Sequence, residues 1–202
     1  AHGERLSPLW SVLGEQTAQA VLADPRHYGF HGTLKAPFRM QEGVALRHVL
    51  AEVQALASAT PAFDLPPLAP DWLGPFMALL PQAECEALNA LAAACVTQLH
   101  HLAAPLNELE LAKRRRVQLS AAQEALMQRW GYPYVLEEFR FHMTLSGSLR
   151  GLDPTQQADA LRLAQQHFDG LRPWTMSALS VFVQESVDAD FVLCEQWPLR
   201  QG

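Results

Sequence analysis

The spacing of apolar residues changes along the chain, and the changes mark out its elements. Leu9 to Leu22 has helical spacing, and Asp24-Pro25 is expected to break the chain after it. Residues Val44, Leu46, Val49, Leu50, Val53 and Leu56 recur at helical intervals, which predicts a helix from Val44 to Ala59 that Pro61 stops. Phe63 to Leu68 and Phe76 to Leu80 predict two strands joined by a Pro/Gly turn, and Glu84 to His101 a long alanine-rich helix. The second half predicts a strand at Phe139 to Ser146 and a helix from Asp153 to Phe168. Strands near Trp174 to Gln184 and Phe191 to Trp197 follow.

Two of the strand-like runs share a polar insertion. Tyr28-Gly29-Phe30-His31-Gly32-Thr33-Leu34 and Phe139-Arg140-Phe141-His142-Met143-Thr144-Leu145 both contain Phe-His-x-Thr-Leu, 111 positions apart. Side chains alternate along a strand, so His31 projects with Thr33 and His142 with Thr144, while the Phe and Leu neighbours face the other way. A single strand histidine is most often a hydrogen-bonded packing residue. Packing, however, has no reason to select His-x-Thr twice in otherwise unlike surroundings. Side by side, the two segments would line one cleft with two imidazoles and two hydroxyls.

The halves also follow a matching plan, since His31 precedes Phe76 by 45 residues and His142 precedes Phe191 by 49. This predicts an internal duplication and an α+β, bilobal architecture within one domain, with lobes at about 24–104 and 105–202. Each lobe would be a small antiparallel sheet with helices on its outer face, and the motif strands would border a central groove.

Paired imidazoles suit a reaction that removes one proton from a nucleophile and delivers another to a leaving oxygen. Histidine titrates near neutrality and can take either part. Threonine hydroxyls on the same face can donate to non-bridging phosphate oxygens as charge develops. His31, His142, Thr33 and Thr144 are therefore the candidate catalytic set, and opening or closing a phosphodiester is the chemistry they fit.

On these residues the chain resembles the 2H phosphoesterases, a family with paired H-x-[ST] motifs, here His31-Gly32-Thr33 and His142-Met143-Thr144. The longer strings His31-Gly32-Thr33-Leu34-Lys35-Ala36-Pro37-Phe38 and Arg129-Trp130-Gly131-Tyr132-Pro133-Tyr134-Val135 resemble more narrowly a bacterial branch associated with phosphonate-utilisation operons. The likeness runs from about Trp10 to the C-terminus. It implies the same bilobal fold, with a pseudo-twofold axis through the cleft. It also implies a metal-independent phosphoesterase, with no cofactor, acting on a cyclic phosphodiester or a related sugar or nucleotide phosphate. RNA-end 2′,3′-cyclic phosphodiesterase or 2′,5′ ligase activity is the alternative within enzymes, and nucleic acid enters only as such an RNA end. A non-catalytic phosphate or nucleotide binding module is the alternative outside them. A metal-dependent hydrolase is disfavoured because no carboxylate shares either motif. Family members usually open with a strand; nothing in Ala1 to Pro8 reads as one, so that strand is expected upstream of Ala1.

Further residues are candidates for holding the substrate. Lys35 lies four positions after His31 and would share its face on an unbroken strand, and Arg140 lies two before His142. Tyr28, Tyr132 and Tyr134 can stack on a sugar or base or simply pack. Lys113-Arg114-Arg115-Arg116 is the one basic run, and Arg115 or Arg116 could fold over the groove onto a phosphate. His100-His101 reads as a cap on the alanine-rich helix rather than a metal site.

Composition narrows the class. The 202 residues are 49% hydrophobic with a net charge of −6, which favours a packed core and disfavours a general nucleic-acid binder. Cys85, Cys95 and Cys194 lack metal-ligand spacing and read as buried thiols. No apolar run reaches bilayer length and no signal-peptide pattern opens the chain, so a soluble cytoplasmic protein is expected.

Overall fold

A computed structural model describes residues 10, 13–171, 173–186 and 189–201, with the side chain of residue 24 excepted. The opening strand expected of the family, the reading of Ala1 to Pro8, and Leu9, Ser11 and Val12 of the first predicted helix lie outside the described residues.

Helix α1 (Glu15–Tyr28) does not stop at Asp24-Pro25 as the sequence suggested but runs through Pro25. A proline there has no N–H for the carbonyl four residues back. That carbonyl, on Val21, instead accepts the backbone N–H of Gly147 at 2.6 Å, so the second motif's strand end satisfies the group that Pro25 orphans. Helix α2 (Leu46–Ala59) follows with Val49, Val53, Leu56 and Ala57 buried, the spacing the sequence shows. The first predicted strand is split: β1 is only Phe63–Asp64, and β2 begins at Leu68. Pro66 and Pro67 cannot donate to a ladder and separate the two. β2 (Leu68–Leu73) and β3 (Phe76–Pro81) form a hairpin with register from Leu68↔Pro81 to Leu73↔Phe76. Gly74 turns it in the left-handed region, at φ 63°.

Helix α3 (Glu86–Gln98) buries Leu88, Leu91, Ala92, Cys95 and Val96. A 3-10 turn at His100–Leu102 follows, where the His101 ring nitrogen Nδ1 bonds the Gln98 carbonyl at 2.9 Å as the expected cap, whereas His100 does not cap and its Nδ1 is buried without a partner. Two helices come next that apolar spacing did not reveal, α4 (Glu108–Arg114) and α5 (Ala121–Trp130). Each starts on a reciprocal capping box, Asn107 with Glu110 and Ser120 with Gln123. The second motif strand is shorter than Phe139 to Ser146, with β4 confined to Met143–Thr144. Helix α6 (Pro154–Phe168), capped by Asp153, leads to β5 (Thr175–Met176) and the hairpin β6 (Ala178–Val183) with β7 (Val192–Pro198).

The sheets do not divide at the expected lobe boundary. β4 of the second half pairs with β3 of the first, giving the order β2-β3-β4, and β1 pairs with β5. The helices cross over too: α6 packs on β2, while α2 packs on β6 and β7. One core cluster joins Trp10, Val21 and Leu22 to Met77, Leu79, Met143, Leu145 and Ala160 beneath the three-stranded sheet. A second joins Val49, Val53 and Leu56 of α2 to Leu91, Cys95, Leu179 and Leu199.

Candidate active site

The two His-x-Thr segments meet. Gly32 forms an antiparallel bridge with Met143, the middle residue of one motif against the middle residue of the other. Extended by one residue each way, that register would set His31 opposite Thr144 and Thr33 opposite His142, but only the central pair is bridged. Burial agrees along the second motif. Phe141, Met143 and Leu145 are buried, whereas His142 and Thr144 are half-buried. The alternation expected of a strand therefore holds from 141 to 145.

The first motif is not a strand beyond its bridge. α1 ends at Tyr28, Gly29 has φ 65°, and the chain bends at Leu34 and Lys35. Gly32 is required by close approach: a Cβ there would lie 2.5 Å from Cε2 and 2.6 Å from Cζ of Phe141. The buried Phe141 ring thus fills the space that any larger residue would need.

Both imidazoles are held alike. Nδ1 of His31 bonds the Gly29 carbonyl at 3.1 Å, and Nδ1 of His142 bonds the Arg140 carbonyl at 2.8 Å, in each case two residues upstream. A carbonyl oxygen only accepts, so Nδ1 carries the hydrogen in both rings and Nε2 is left to exchange protons. Nε2 of His31 sits 2.9 Å from Oγ1 of Thr33. Aromatic rings that sequence spacing did not single out stand close by. Phe182 lies 6.0 Å from His31 and Phe76 5.8 Å from His142, between ring centroids. Tyr28 is 6.1 Å from His31 and stacks on Phe191 at 5.2 Å. The Phe191 backbone N–H donates to the His27 carbonyl at 3.0 Å, which ties the residues before β7 to the end of α1.

The remaining candidates go elsewhere. The bend at Leu34 and Lys35 breaks the strand argument for Lys35. It lines a cavity of about 490 Å³ with Arg114, Arg115, His100 and Tyr132, and none of the four motif residues lines that cavity. Lys35 donates to the Val96 carbonyl at 3.5 Å and lies 5.1 Å from the Phe38 ring centroid. Burial pushes its ammonium down to about 8, opposed by the nearby Cys95 sulfur, and pushes the Cys95 thiol up to about 11, opposed by Lys35. Burial, followed by the charges of Lys35 and His101, holds His100 below the usual imidazole value. Arg115 is tied to Glu124, Arg116 is exposed, and Arg114 stacks 4.9 Å from the Tyr132 ring centroid. Burial raises the Tyr132 phenol, and Tyr132 packs edge-on against Tyr134, which fits the packing alternative. The Arg140 guanidinium is spent locally on the Glu137 and Phe139 carbonyls at 3.3 and 2.8 Å; its contribution to His142 is its backbone carbonyl.

Among the described residues no group of three or more His, Cys, Asp or Glu is placed to hold a metal ion, and no helix is long and apolar enough to cross a membrane. An α+β chain whose two His-x-Thr segments are bridged through their middle residues is the class that fold and site define. The chain belongs to the family described as "Protein of unknown function (DUF1045)", whose profile matches residues 33–192. It is 42% identical over 182 residues to a protein of Janthinobacterium sp. (strain Marseille) named ribose 1,5-bisphosphate phosphokinase PhnN, covering 89% of this chain and 40% of that protein. A protein of the same name from Laribacter hongkongensis (strain HLHK9) is 38% identical over 194 residues, 96% of this chain and 44% of that protein. The chain thus spans about two fifths of the length of these relatives. No solved structure matches it.

Proposed function

We propose that this chain is a metal-independent phosphoesterase of the two-histidine type, acting on a cyclic phosphodiester of a sugar or a related small phosphate ester. The observation that carries the reading is the Gly32↔Met143 bridge, whose antiparallel sense supports a shared face for the two imidazoles and two threonines that flank it. The matching Nδ1 contacts add to it, since they leave an Nε2 on each ring as the proton-exchanging atom. In an in-line displacement one Nε2 takes the proton of the attacking water as its oxygen bonds to phosphorus. The other Nε2, protonated, gives its proton to the departing ester oxygen as that P–O bond breaks. The Thr144 hydroxyl donates to a non-bridging oxygen, and Thr33 does so when His31 is protonated, because a neutral Nε2 of His31 takes the Thr33 hydrogen; Tyr28, Phe182 and Phe76 offer faces for the organic part.

The duplication belongs to the same reading. Gly32 and Met143 are 111 positions apart, and so are Asp64 and Thr175, which pair between β1 and β5 and share a 2.7 Å hydrogen bond. Residues facing their own counterparts at two places, with α2 and α6 each covering the other half's hairpin, are what a local twofold axis would produce. The reading keeps two pseudo-symmetric lobes, about 24–104 and 105–202, that exchange strands across the cleft.

The relatives' names point to ribose phosphates as the substrate class and to the phosphonate metabolism suggested by the family resemblance. Their phosphokinase activity need not reside in the two fifths that this chain matches, and the sequence has no G-x-x-x-x-G-K-[ST] loop. Purified protein incubated with a panel of ribose cyclic phosphates, with and without chelator, tests the proposal. A phosphate monoester product formed equally under both conditions supports it; tight binding without turnover across the panel would replace it with the binding-module alternative.

A further inference from the structure

The cavity of about 490 Å³ that Lys35 lines has no assigned role, and its chemistry is unlike the rest of this acidic protein. Four cations, Lys35, Arg39, Arg114 and Arg115, line it against one carboxylate, Glu110. Glu110 is committed to Arg39 through two hydrogen bonds, at 2.9 and 3.1 Å, and Arg115 is committed to Glu124. Lys35 and Arg114 are left over. Arg114 has no ion pair or side-chain hydrogen bond among the described residues and rests on the Tyr132 face, while Lys35 has one long bond to a carbonyl. The Nδ1 of His100, on the same wall, is also buried without a protein partner.

Lys35 has only a long carbonyl bond and the Phe38 face to offset its burial, and Arg114 only the Tyr132 face and the charge of a Glu110 already bonded to Arg39. An anion bound between them would restore both. Lys35, Arg114 and His100 come from three separate segments, so they suit an anion with terminal oxygens in several directions. The cavity is also larger than a phosphate alone, and Trp130 and Tyr132 stand on its wall.

We propose that this cavity is a second ligand site, separate from the histidines, which binds a phosphate monoester with its phosphate between Lys35 and Arg114 and its organic body against Trp130 and Tyr132. The site is built without any His-x-Thr residue, so it stands or falls independently of the proposed catalysis.

Phenyl phosphate, titrated by calorimetry, is a suitable probe. The His31→Ala/His142→Ala protein serves as the background, so that binding at the motif face is weakened there. Binding should persist in that background, and adding Lys35→Ala or Arg114→Ala should weaken it about tenfold to a hundredfold, the usual effect of removing a charged hydrogen-bond partner. Phenol should not bind. If Arg114→Ala does not fold, Arg114→Gln, checked by circular dichroism, takes its place. Absence of binding in the background protein, or binding indifferent to both cation substitutions, would overturn the proposal.

Discussion

Gly32 lies directly across an antiparallel bridge from Met143, and the ring of Phe141 occupies the volume where a side chain on Gly32 would go. The contact that brings the motifs together therefore depends on a residue with no side chain. Gly32→Ala should push Phe141 off its site or part the two segments, with a loss of about 1–3 kcal/mol of stability by analogy with overpacked cores. Activity should fall further than stability, because the separation of the imidazoles changes with the bridge. Chemical denaturation together with kcat/KM on a cyclic phosphate checks both. A Gly32→Ala protein with unchanged stability would show that the close approach of Phe141 is not a constraint.

His31→Ala and His142→Ala should each lower kcat by about two to four orders of magnitude, the usual yield of general acid-base catalysis. The wild-type profile of kcat/KM against pH should be bell-shaped, with one limb for the base and one for the acid, each belonging to the coupled pair. Each single variant should lose the limb its imidazole supplied. A flat profile through pH 5–8 would remove proton transfer by histidine from the mechanism.

The motif pairing was legible because His-x-Thr occurs twice at matching positions in apolar runs, and the structure bridges the two through Gly32 and Met143. Which half each strand would join was not legible, because β3 pairing with β4 and β1 with β5 are contacts between residues far apart in sequence. Helices α4 and α5 escaped because they bury so little that no apolar stripe marks them: α4 has no buried residue and α5 only Leu126 and Met127. Their capping boxes, Asn107 with Glu110 and Ser120 with Gln123, were the available signal. Pro25 misled because a helix tolerates proline where another segment takes up the freed carbonyl, here Gly147 on Val21. Lys35 was placed with His31 by counting along an unbroken strand, and the bend at Leu34 removes that premise.

Thr33→Val and Thr144→Val should lower kcat/KM by about tenfold to a thousandfold, because each removes a donor whose value rises as charge develops on the phosphate. The two need not be equal. Thr33 also touches Nε2 of His31 at 2.9 Å, so its loss should additionally alter the pH profile, and Thr144→Val should not. EDTA should leave the wild-type rate unchanged under the proposed mechanism. Loss of activity on chelation, restored by zinc or manganese, would assign the chemistry to a metal enzyme.

Lys35 should cost the fold stability in a manner that pH reveals. Burial lowers its folded-state pKa to about 8 from an ordinary 10.5. Below about pH 8 both folded and unfolded chains carry the charge, and folding bears the whole desolvation penalty. Between about 8 and 10.5 the unfolded state keeps a proton that the folded state has released, so stability contributed by this residue rises with pH. Above that window both forms are neutral and the penalty is gone. Cys95 acts oppositely, since its thiol is held up at about 11 against an ordinary 9 and its contribution falls as pH rises through that range. Because wild type and a Lys35→Met variant both contain Cys95, their difference isolates Lys35 to first order. Lys35→Met should therefore be more stable than wild type at pH 7, with an advantage that shrinks steadily toward pH 10, measured by denaturant titration in phosphate-free buffer. A variant less stable than wild type at pH 7 would mean that the contacts of Lys35 with Val96 and Phe38 outweigh its desolvation.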